Sequence, residues 1–207
     1  MLNVELIKTM YRRNADYYDL VTHAFSGIRS RAIAQLGLKG GEIVLDFGCG
    51  TGLSFGLLEQ SVGPNGKIIG IELSSAMLVK AREKVLRHQW KNITLIEANA
   101  EEVLLPQESV DAVLSFYTHD IMSSRFAVER AVQALRPGGC FVAAGSRLME
   151  EINGWLLNRI TLAYTQTAIT QPLTVRPWKH LEDLLSPLKV QKYLGGSSYI
   201  AYAVKSR

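Results

Sequence analysis

The amino-acid sequence predicts an α/β fold: a doubly wound, mainly parallel sheet of seven strands with helices on both faces and an antiparallel C-terminal hairpin. Strand-like and helix-like runs alternate through the middle of the chain, which is typical of βα units. The strand-like runs are continuously apolar, as suits strands covered on both faces. The last two have no helix between them, so they must pair antiparallel. The 207 residues, 47% of them hydrophobic, suffice for one domain with an ordinary core.

Local signals define the elements of the middle region. Ser74 or Ser75 supplies the N-cap of one helix, and Ser123 or Ser124 supplies that of another. The run Arg-Pro-Gly-Gly at 136–139 ends the second of these helices. The predicted elements, in chain order, are strand 43–47, helix 53–60, strand 67–72, helix 76–87, strand 93–97, strand 110–116, a helix that ends near 135, and strand 140–144.

The two ends of the chain are predicted to differ from the middle. Residues 3–36 have a mainly helical pattern, and residues 151–186 look helical with breaks at Pro172 and Pro177. Residues 188–194 and 198–204 are strand-like and are joined by Gly-Gly-Ser. These two runs form the predicted terminal hairpin at one edge of the sheet.

Charge and composition exclude several classes of protein. The net charge of +4 comes from scattered Lys and Arg residues, so there is no strong nucleic-acid signature, although peripheral contact with a membrane surface is compatible with it. No apolar run approaches the roughly 18 residues of a membrane span, and the N-terminus lacks a signal-peptide pattern, so we expect a cytoplasmic protein. Cys49 and Cys140 have no metal-ligand spacing and are expected to be buried thiols; no metal site is predicted.

The segment 44–52, Val-Leu-Asp-Phe-Gly-Cys-Gly-Thr-Gly, carries the strongest functional signal. A strand leads into glycines that let the backbone turn sharply and approach a ligand. The third glycine, Gly52, comes one residue earlier than in the dinucleotide motif G-x-G-x-x-G. Asp46 would repel a pyrophosphate but can balance an ammonium or sulfonium group. Glu72, at the end of the second strand, suits two ribose hydroxyls and supports an adenosine ligand without choosing between cofactors.

Five motifs in order resemble those of the class I S-adenosylmethionine-dependent methyltransferases, a family with a Rossmann-like fold. They cover about residues 40–145 and lie at 44–52, 71–78, 99–101, 105–113 and 135–139. S-adenosylmethionine carries an ammonium and a sulfonium group and no phosphate, in agreement with the charge of Asp46. The resemblance therefore implies an enzyme that takes its methyl group from this cofactor.

The resemblance also implies which residues bind the cofactor. Gly48 and Gly50 would contact the methionine moiety through backbone, and Asp46 would order their loop. Glu72 would hold the ribose, and Asn99 would meet the adenine. Met77 fits core packing as well as a ligand contact. The implied set is Asp46, Gly48, Cys49, Gly50, Gly52, Glu72, Leu73, Met77, Asn99, Ala100 and Ser115.

Residues 11–20 resemble the lead-in of ubiquinone/menaquinone C-methyltransferases and bacterial phosphatidylethanolamine N-methyltransferases, in which this segment folds over the cofactor as a lid. Tyr11 would then contact the cofactor, and Tyr18 would be a catalytic residue that closes the acceptor pocket; packing within a helix is the alternative for both rings. The resemblance divides the single domain 1–207 into a helical lid 1–36, a cofactor-binding core 40–145, an acceptor-pocket insertion 146–187 and the terminal hairpin 188–205.

The acceptor side is less explicit in the sequence. The fourth strand ends in Ser-Phe-Tyr-Thr-His-Asp, not in the N/D-P-P-Y pattern common in enzymes that methylate amide or base nitrogens. His119 is predicted as a catalytic base near neutral pH, with Asp120 to orient or charge it; capping a helix or lining the pocket is the alternative. Apolar and aromatic residues between 155 and 178 serve either the core or a hydrophobic pocket.

We therefore predict a methyltransferase that acts on a small, hydrophobic or lipid-like acceptor by in-line transfer. Two alternatives from other classes stay open: a methyltransferase-like binding protein without turnover, and a protein or RNA methyltransferase. No oligomeric state is predicted.

Overall fold

The computed structural model describes residues 25–150, 154–165 and 169–206. Helices and strands alternate through the middle of the chain, as predicted. The elements are α1 (Ser26–Gln35), β1 (Ile43–Phe47), α2 (Phe55–Val62), β2 (Lys67–Glu72), α3 (Ser75–His88), β3 (Ile93–Glu97), β4 (Val110–Phe116), α4 (His119–Met122), α5 (Arg125–Ala134), β5 (Leu135–Ser146), α6 (Trp155–Thr165), α7 (Lys179–Leu184), β6 (Lys189–Tyr193) and β7 (Ser198–Val204).

Seven strands form one mixed sheet in the order β3-β2-β1-β4-β5-β7-β6. The first five strands pair in parallel, whereas β7 is antiparallel to both β5 and β6. This topology confirms the predicted fold class and the C-terminal hairpin at the edge. The strand order reverses between β1 and β4, and the carboxyl ends of two such strands border the crevice in which open α/β sheets bind ligands.

The sheet is covered on both faces, as the continuous apolar strands predicted. Successive residues of a strand point to opposite faces, so Leu45 and Val113 enter one core while Val44 and Leu114 enter the other. The first core contains buried residues of α5 and α7, and the second contains those of α1, α2 and α3. Burial on both faces fixes the register of the central strands and so holds their carboxyl ends in place.

The strand predicted at 140–144 is longer in the structure and begins at Leu135. Gly138, with φ of +82°, lets the chain pass Pro137 without leaving the sheet. The Gly138 N–H then donates to the Lys205 carbonyl at 2.8 Å, which extends the ladder beyond β7. The register of β5 against β4 shifts at Asp111. The Asp111 carboxylate accepts the Ile43 N–H at 2.8 Å. The helix α5 ends close to its predicted end near residue 135, but β5 follows it directly and no separate turn lies between them.

Two further regions differ from the predicted secondary structure. Between α6 and α7, residues 169–178 are not helical, and this stretch contains both predicted breakers, Pro172 and Pro177. A one-turn helix, α4, follows β4 although no helix was predicted before residue 123. Of the predicted N-terminal helical region, residues 1–24 lie outside the described residues, and α1 lies within them.

Candidate functional site

The glycine turn after β1 is fixed to the neighbouring strand. The Ile71 carbonyl accepts the N–H groups of both Gly48 and Cys49 at 2.9 Å. Gly48 has φ of +88°, and a Cβ at this position would come within 2.4 Å of Thr118 Cγ2. Glycine is therefore required here both for the backbone conformation and for close packing against the segment after β4.

Glu72 ends β2 beside this turn, and its carboxylate organises the backbone around it. Oε2 accepts the Gly50 N–H at 3.0 Å, and Oε1 accepts the Ser74 N–H at 2.8 Å. Burial raises the pKa of Glu72, and these backbone hydrogen bonds oppose that rise. Each carboxylate oxygen has a second lone pair, so the side chain can accept one more hydroxyl group on either oxygen.

Asn99 follows β3, and its amide orientation is set by the backbone next to it. Oδ1 accepts the Glu101 N–H at 3.0 Å, so the amide nitrogen is left with two donors. This assignment resolves the orientation that the sequence left open: toward a ligand, Asn99 acts as a donor. The buried Ala100 lies beside it.

A cleft of about 630 Å³, open solvent at its mouth included, connects these groups. Of the predicted cofactor-binding residues, the cleft is lined by Gly48, Gly50, Glu72, Leu73, Met77, Asn99 and Ala100. Met77 is almost completely buried and still reaches the lining, so packing and ligand contact are compatible for this residue.

A second cavity meets the cleft at Gly48 and contains two buried charged side chains. Asp46 is 1% exposed, and its Oδ2 accepts no hydrogen bond from the described residues. Burial raises the pKa of Asp46 to about 7; the nearby Arg29 guanidinium lowers it, and the Glu72 carboxylate adds to the rise. Arg29 comes from α1 and places its guanidinium carbon 4.7 Å from the ring centre of Phe116. The cavity therefore offers one carboxyl group and one guanidinium group.

The sequence reasoning missed Arg29. In the sequence, the run Arg29-Ser30-Arg31 is not distinguishable from the other scattered basic residues. Within α1, Arg29 is buried together with Ile28 and Ile33, which is unusual for an arginine and would have been visible only as a charge on an apolar helix face.

The remaining predicted cofactor residues lie away from the cleft or outside the described chain. Cys49 lines the second cavity, and Gly52 packs against Phe55. Ser115 is fully buried, and its hydroxyl pairs with that of Thr118. Tyr11 and Tyr18 lie outside the described residues.

His119 and Asp120 hold the segment that follows α6. His119 Nε2 lies 3.0 Å from the Pro172 carbonyl, so it carries the ring hydrogen and donates it. Asp120 Oδ1 accepts the N–H groups of Thr170 and Gln171 at 2.9 and 3.0 Å. We name residues 169–172, the segment held by these hydrogen bonds, the 169–172 clasp. Asp120 lines the cleft, whereas His119 is not among the lining residues.

The protonation of His119 follows from its surroundings. Burial lowers the pKa of His119, while its hydrogen bond to Pro172 and the Asp120 charge act in the opposite direction. The Asp120 charge therefore acts on the protonation of His119, while the hydrogen bonds of its carboxylate go to Thr170 and Gln171. Near neutral pH the imidazole is mainly neutral, with Nδ1 as the acceptor nitrogen.

Tyr117 is a second residue that the sequence reasoning did not single out. It lines the cleft in a left-handed backbone conformation, with φ of +57°. Its hydroxyl lies 2.9 Å from Ser198 Oγ, and its ring centre lies 4.5 Å from that of Phe25 and 4.9 Å from that of Phe116. A non-glycine residue in this conformation is uncommon, and Gln89, Glu108 and Leu194 share it at positions outside the cleft.

Two features are absent from the described part of the chain. No described helix is both long enough and apolar enough to cross a bilayer. Within the described ranges, no cluster of three or more His, Cys, Asp or Glu side chains is arranged to hold a metal ion.

The sheet order, the glycine turn and the ribose-type carboxylate define a Rossmann-like α/β protein built for an adenosine-containing ligand. Residues 44–139 match the methyltransferase domain family. This match supports a class I S-adenosylmethionine-dependent methyltransferase domain, and S-adenosylmethionine is the cofactor of that class.

Three comparisons illustrate this relationship. A ubiquinone/menaquinone biosynthesis C-methyltransferase of Hahella chejuensis is 33% identical over 129 residues, which are 59% of this chain and 52% of that protein. An arsenite methyltransferase of Halobacterium salinarum is 34% identical over 100 residues, 48% of this chain and 26% of the other. The chain thus spans about half or less of the length of these curated relatives. A solved methyltransferase of Aquifex aeolicus has the same fold, with a TM-score of 0.63 at 22% identity and coverage of 84% and 88%.

Proposed function

We propose that this chain transfers the methyl group of S-adenosylmethionine to a small hydrophobic acceptor with an aromatic, quinone-like ring. One observation carries the cofactor half of the proposal: the cleft with Glu72 and Asn99 meets the cavity with Asp46 and Arg29 at Gly48. A ligand with a neutral nucleoside at one end and a zwitterionic amino acid at the other matches this distribution of charge.

The residues present fit the cofactor group by group. The remaining lone pairs of the Glu72 carboxylate would accept the two ribose hydroxyls, and the Asn99 amide would donate to adenine. The orphaned Oδ2 of Asp46 would accept the ammonium group, and Arg29 would pair with the carboxylate. S-adenosylmethionine supplies an electrophilic methyl group attached to a sulfonium sulfur.

The protein's part in such a transfer is to align the acceptor and to exclude water. The lining of the cleft also includes Tyr117, Thr118 and Ile121. The rings of Phe25 and Phe116 pack against the Tyr117 ring. This surface would stack against a flat, apolar ring. The name of the Hahella relative, a C-methyltransferase of quinone biosynthesis, agrees with such an acceptor.

Arsenite is the less suitable acceptor class, although one relative carries that name. Arsenic is a soft centre, and in proteins thiolates bind soft centres. The chain has only two cysteines, and both are buried. Burial raises the pKa of Cys140 to about 11 and that of Cys49 well above its usual value, so neither is prepared to act as a thiolate.

For the acceptor side we propose that the 169–172 clasp closes one wall of the pocket, within the insertion 146–187. His119 and Asp120 would act on the acceptor by holding this wall, as positioning residues. A base role for His119 stays a prediction, and its neutral imidazole has the protonation state that a base requires.

The test is calorimetric titration with S-adenosylmethionine, using Glu72→Gln and the matched control Glu97→Gln. Glu97 lies opposite Glu72 in the register with β3 and is exposed. We expect affinity to fall about 5- to 150-fold for Glu72→Gln and to stay unchanged for Glu97→Gln. Equal affinity for both variants would refute the ribose role. Incubation with labelled cofactor and hydroxylated aromatic acceptors then tests turnover; binding without transfer to any of them would favour a non-catalytic binding protein.

A further inference from the structure

Most exposed side chains of the helix α6 are apolar, whereas its buried side contains small or hydroxyl-bearing residues. Gly154, immediately before it, and Thr161 and Thr165 within it are buried. Trp155 is 62% exposed and Ile160 is 57% exposed, and the other exposed apolar side chains of the helix include Leu156 and Leu162. We name Trp155, Leu156, Ile160 and Leu162 the α6 apolar face. A helix on the surface of a globular protein normally has the opposite arrangement.

Specific hydrogen bonds fix this orientation. The Asn158 side chain accepts the Met149 N–H at 2.8 Å and donates to the Met149 carbonyl at 3.0 Å. The Thr165 hydroxyl donates to the Thr161 carbonyl at 2.8 Å on the buried side. Rotation of the helix to bury its apolar side would break the two bonds of Asn158, so the exposure of the α6 apolar face is built into the fold.

The α6 apolar face lies at the edge of the sheet that carries the cleft. Leu157 packs against the turn at Gly195, where a Cβ would come 3.4 Å from its Cδ1. Leu194 in the same turn is 56% exposed and extends the apolar surface. The turn leads directly into Ser198, whose hydroxyl bonds to Tyr117 in the cleft. The exposed apolar surface and the candidate acceptor side are therefore neighbours.

The C-terminal part of the chain, which includes α6, carries a net positive charge. Residues 150–207 contain seven Lys or Arg residues and four acidic ones, a formal balance of +3. Two of these acids, Glu182 and Asp183, are paired with Arg176 and Lys179. Within α6 the only charged residue is Arg159. A partner with negative charge beside an apolar interior complements this surface.

We propose that the α6 apolar face binds the interface of an anionic lipid bilayer, with the cleft edge turned toward the membrane. An 11-residue helix is about 16 Å long, so it lies in the interface plane and does not span the bilayer. A helix of this length has a face far smaller than the roughly 800 Å² of surface that each partner buries in a stable dimer. A second copy would also bring two cationic surfaces together. The proposal does not rest on the proposed methyl transfer.

The first test is flotation of the full chain with vesicles of phosphatidylcholine alone or with one-third phosphatidylglycerol. We expect binding to the anionic vesicles, weakening as salt rises. The variants Trp155→Gln and Ile160→Gln should each weaken binding about tenfold, because each removes one side chain from the apolar contact. The matched control is Leu104→Gln, since Leu104 is 87% exposed and lies outside α6. Equal flotation of all four proteins, or no flotation of the unaltered chain, overturns the proposal.

The second test uses Trp155 emission and sedimentation velocity without lipid. Trp178 is buried and Trp90 is half-buried, so a shift toward shorter wavelength on adding anionic vesicles, lost in Trp155→Gln, reports entry of Trp155 into the lipid. If Trp155 is already shielded from a soluble quencher in the free chain, or if Ile160→Gln abolishes a dimer, the face is covered by protein and the proposal fails. Calorimetric affinity for S-adenosylmethionine in water should be unchanged in the α6 variants, which separates this outcome from failure of the cofactor site.

Discussion

Replacement of Asp46 by Asn should change how the stability of the free protein depends on pH. Asp46 is a fully buried carboxyl with one orphaned oxygen. Its pKa is raised from 3.8 to about 7, mainly by burial, against the opposing charge of Arg29. Between these two values the folded protein holds a proton that the unfolded chain has released. The free energy of unfolding therefore falls as pH rises from about 4 to about 7, and the contribution of Asp46 is constant above that range.

The expected size follows from the interval. Each pH unit between the two pKa values contributes about 1.4 kcal/mol, so raising the pH from 5 to 8 removes roughly 3 kcal/mol of stability through Asp46. In a domain of this length, 1 kcal/mol corresponds to about 2–4 °C in melting temperature. The unaltered chain should thus lose about 6–12 °C more than Asp46→Asn over this pH range. Glu72, whose pKa is also raised, and His119, whose pKa is lowered, contribute to both proteins and largely cancel in the difference.

The assay is thermal unfolding followed by circular dichroism at pH 5, 6, 7 and 8 for the unaltered chain and Asp46→Asn. Asp183→Asn serves as a control, because Asp183 is exposed and pairs with Lys179 on the surface. Parallel curves for the unaltered chain and Asp46→Asn would refute the reasoning. With saturating S-adenosylmethionine the pH dependence of the unaltered chain should decrease, since a cofactor ammonium beside Asp46 would favour its ionised form.

Three further predictions concern contacts around the cleft. Gly48→Ala should destabilise the protein by about 1–3 kcal/mol, because Gly48 has a positive φ and the added Cβ would clash with Thr118 Cγ2. Adding Thr118→Ser, which removes that methyl group, should recover part of the lost stability in a double-mutant cycle. Strictly additive effects of the two substitutions would contradict the clash. Asp120→Asn should raise the hydrogen-exchange rates of the Thr170 and Gln171 amides more than those of β4, whereas unchanged rates would show that Asp120 does not hold the clasp. Tyr117→Phe and Ser198→Ala should each cost about 0.5–1.5 kcal/mol in chemical unfolding, and the double variant should cost less than their sum, because both remove one hydrogen bond.

The sequence predicted those parts of the fold that short segments determine. The bounds of β1, β2, β3 and β4 agree with the predicted strands, because each is an apolar run bounded by polar or glycine residues. Ser74 and Ser124 cap their helices as expected, each accepting a backbone N–H three residues later. The predictions failed where the secondary structure depends on contacts with residues distant in the sequence. The beginning of β5 depends on bonds to Lys205, and α4 is a single turn held by contacts to residues 170–172.

The same distinction explains which site residues the sequence could supply. Glu72 organises the N–H groups of Gly50 and Ser74, and Asn99 that of Glu101; these pairings lie within or beside recognisable motifs. The Tyr117–Ser198 bond joins residues 81 positions apart, and the Asp120–Thr170 bond joins residues 50 apart. No local pattern encodes such pairings, since only the packed fold brings the partners together. The motifs that indicate the methyl donor are therefore short, whereas the proposed acceptor side would draw on β4, β7 and residues 169–172. If the acceptor binds where we propose, substitutions at Ser198 or Asp120 should alter acceptor preference before they alter cofactor affinity.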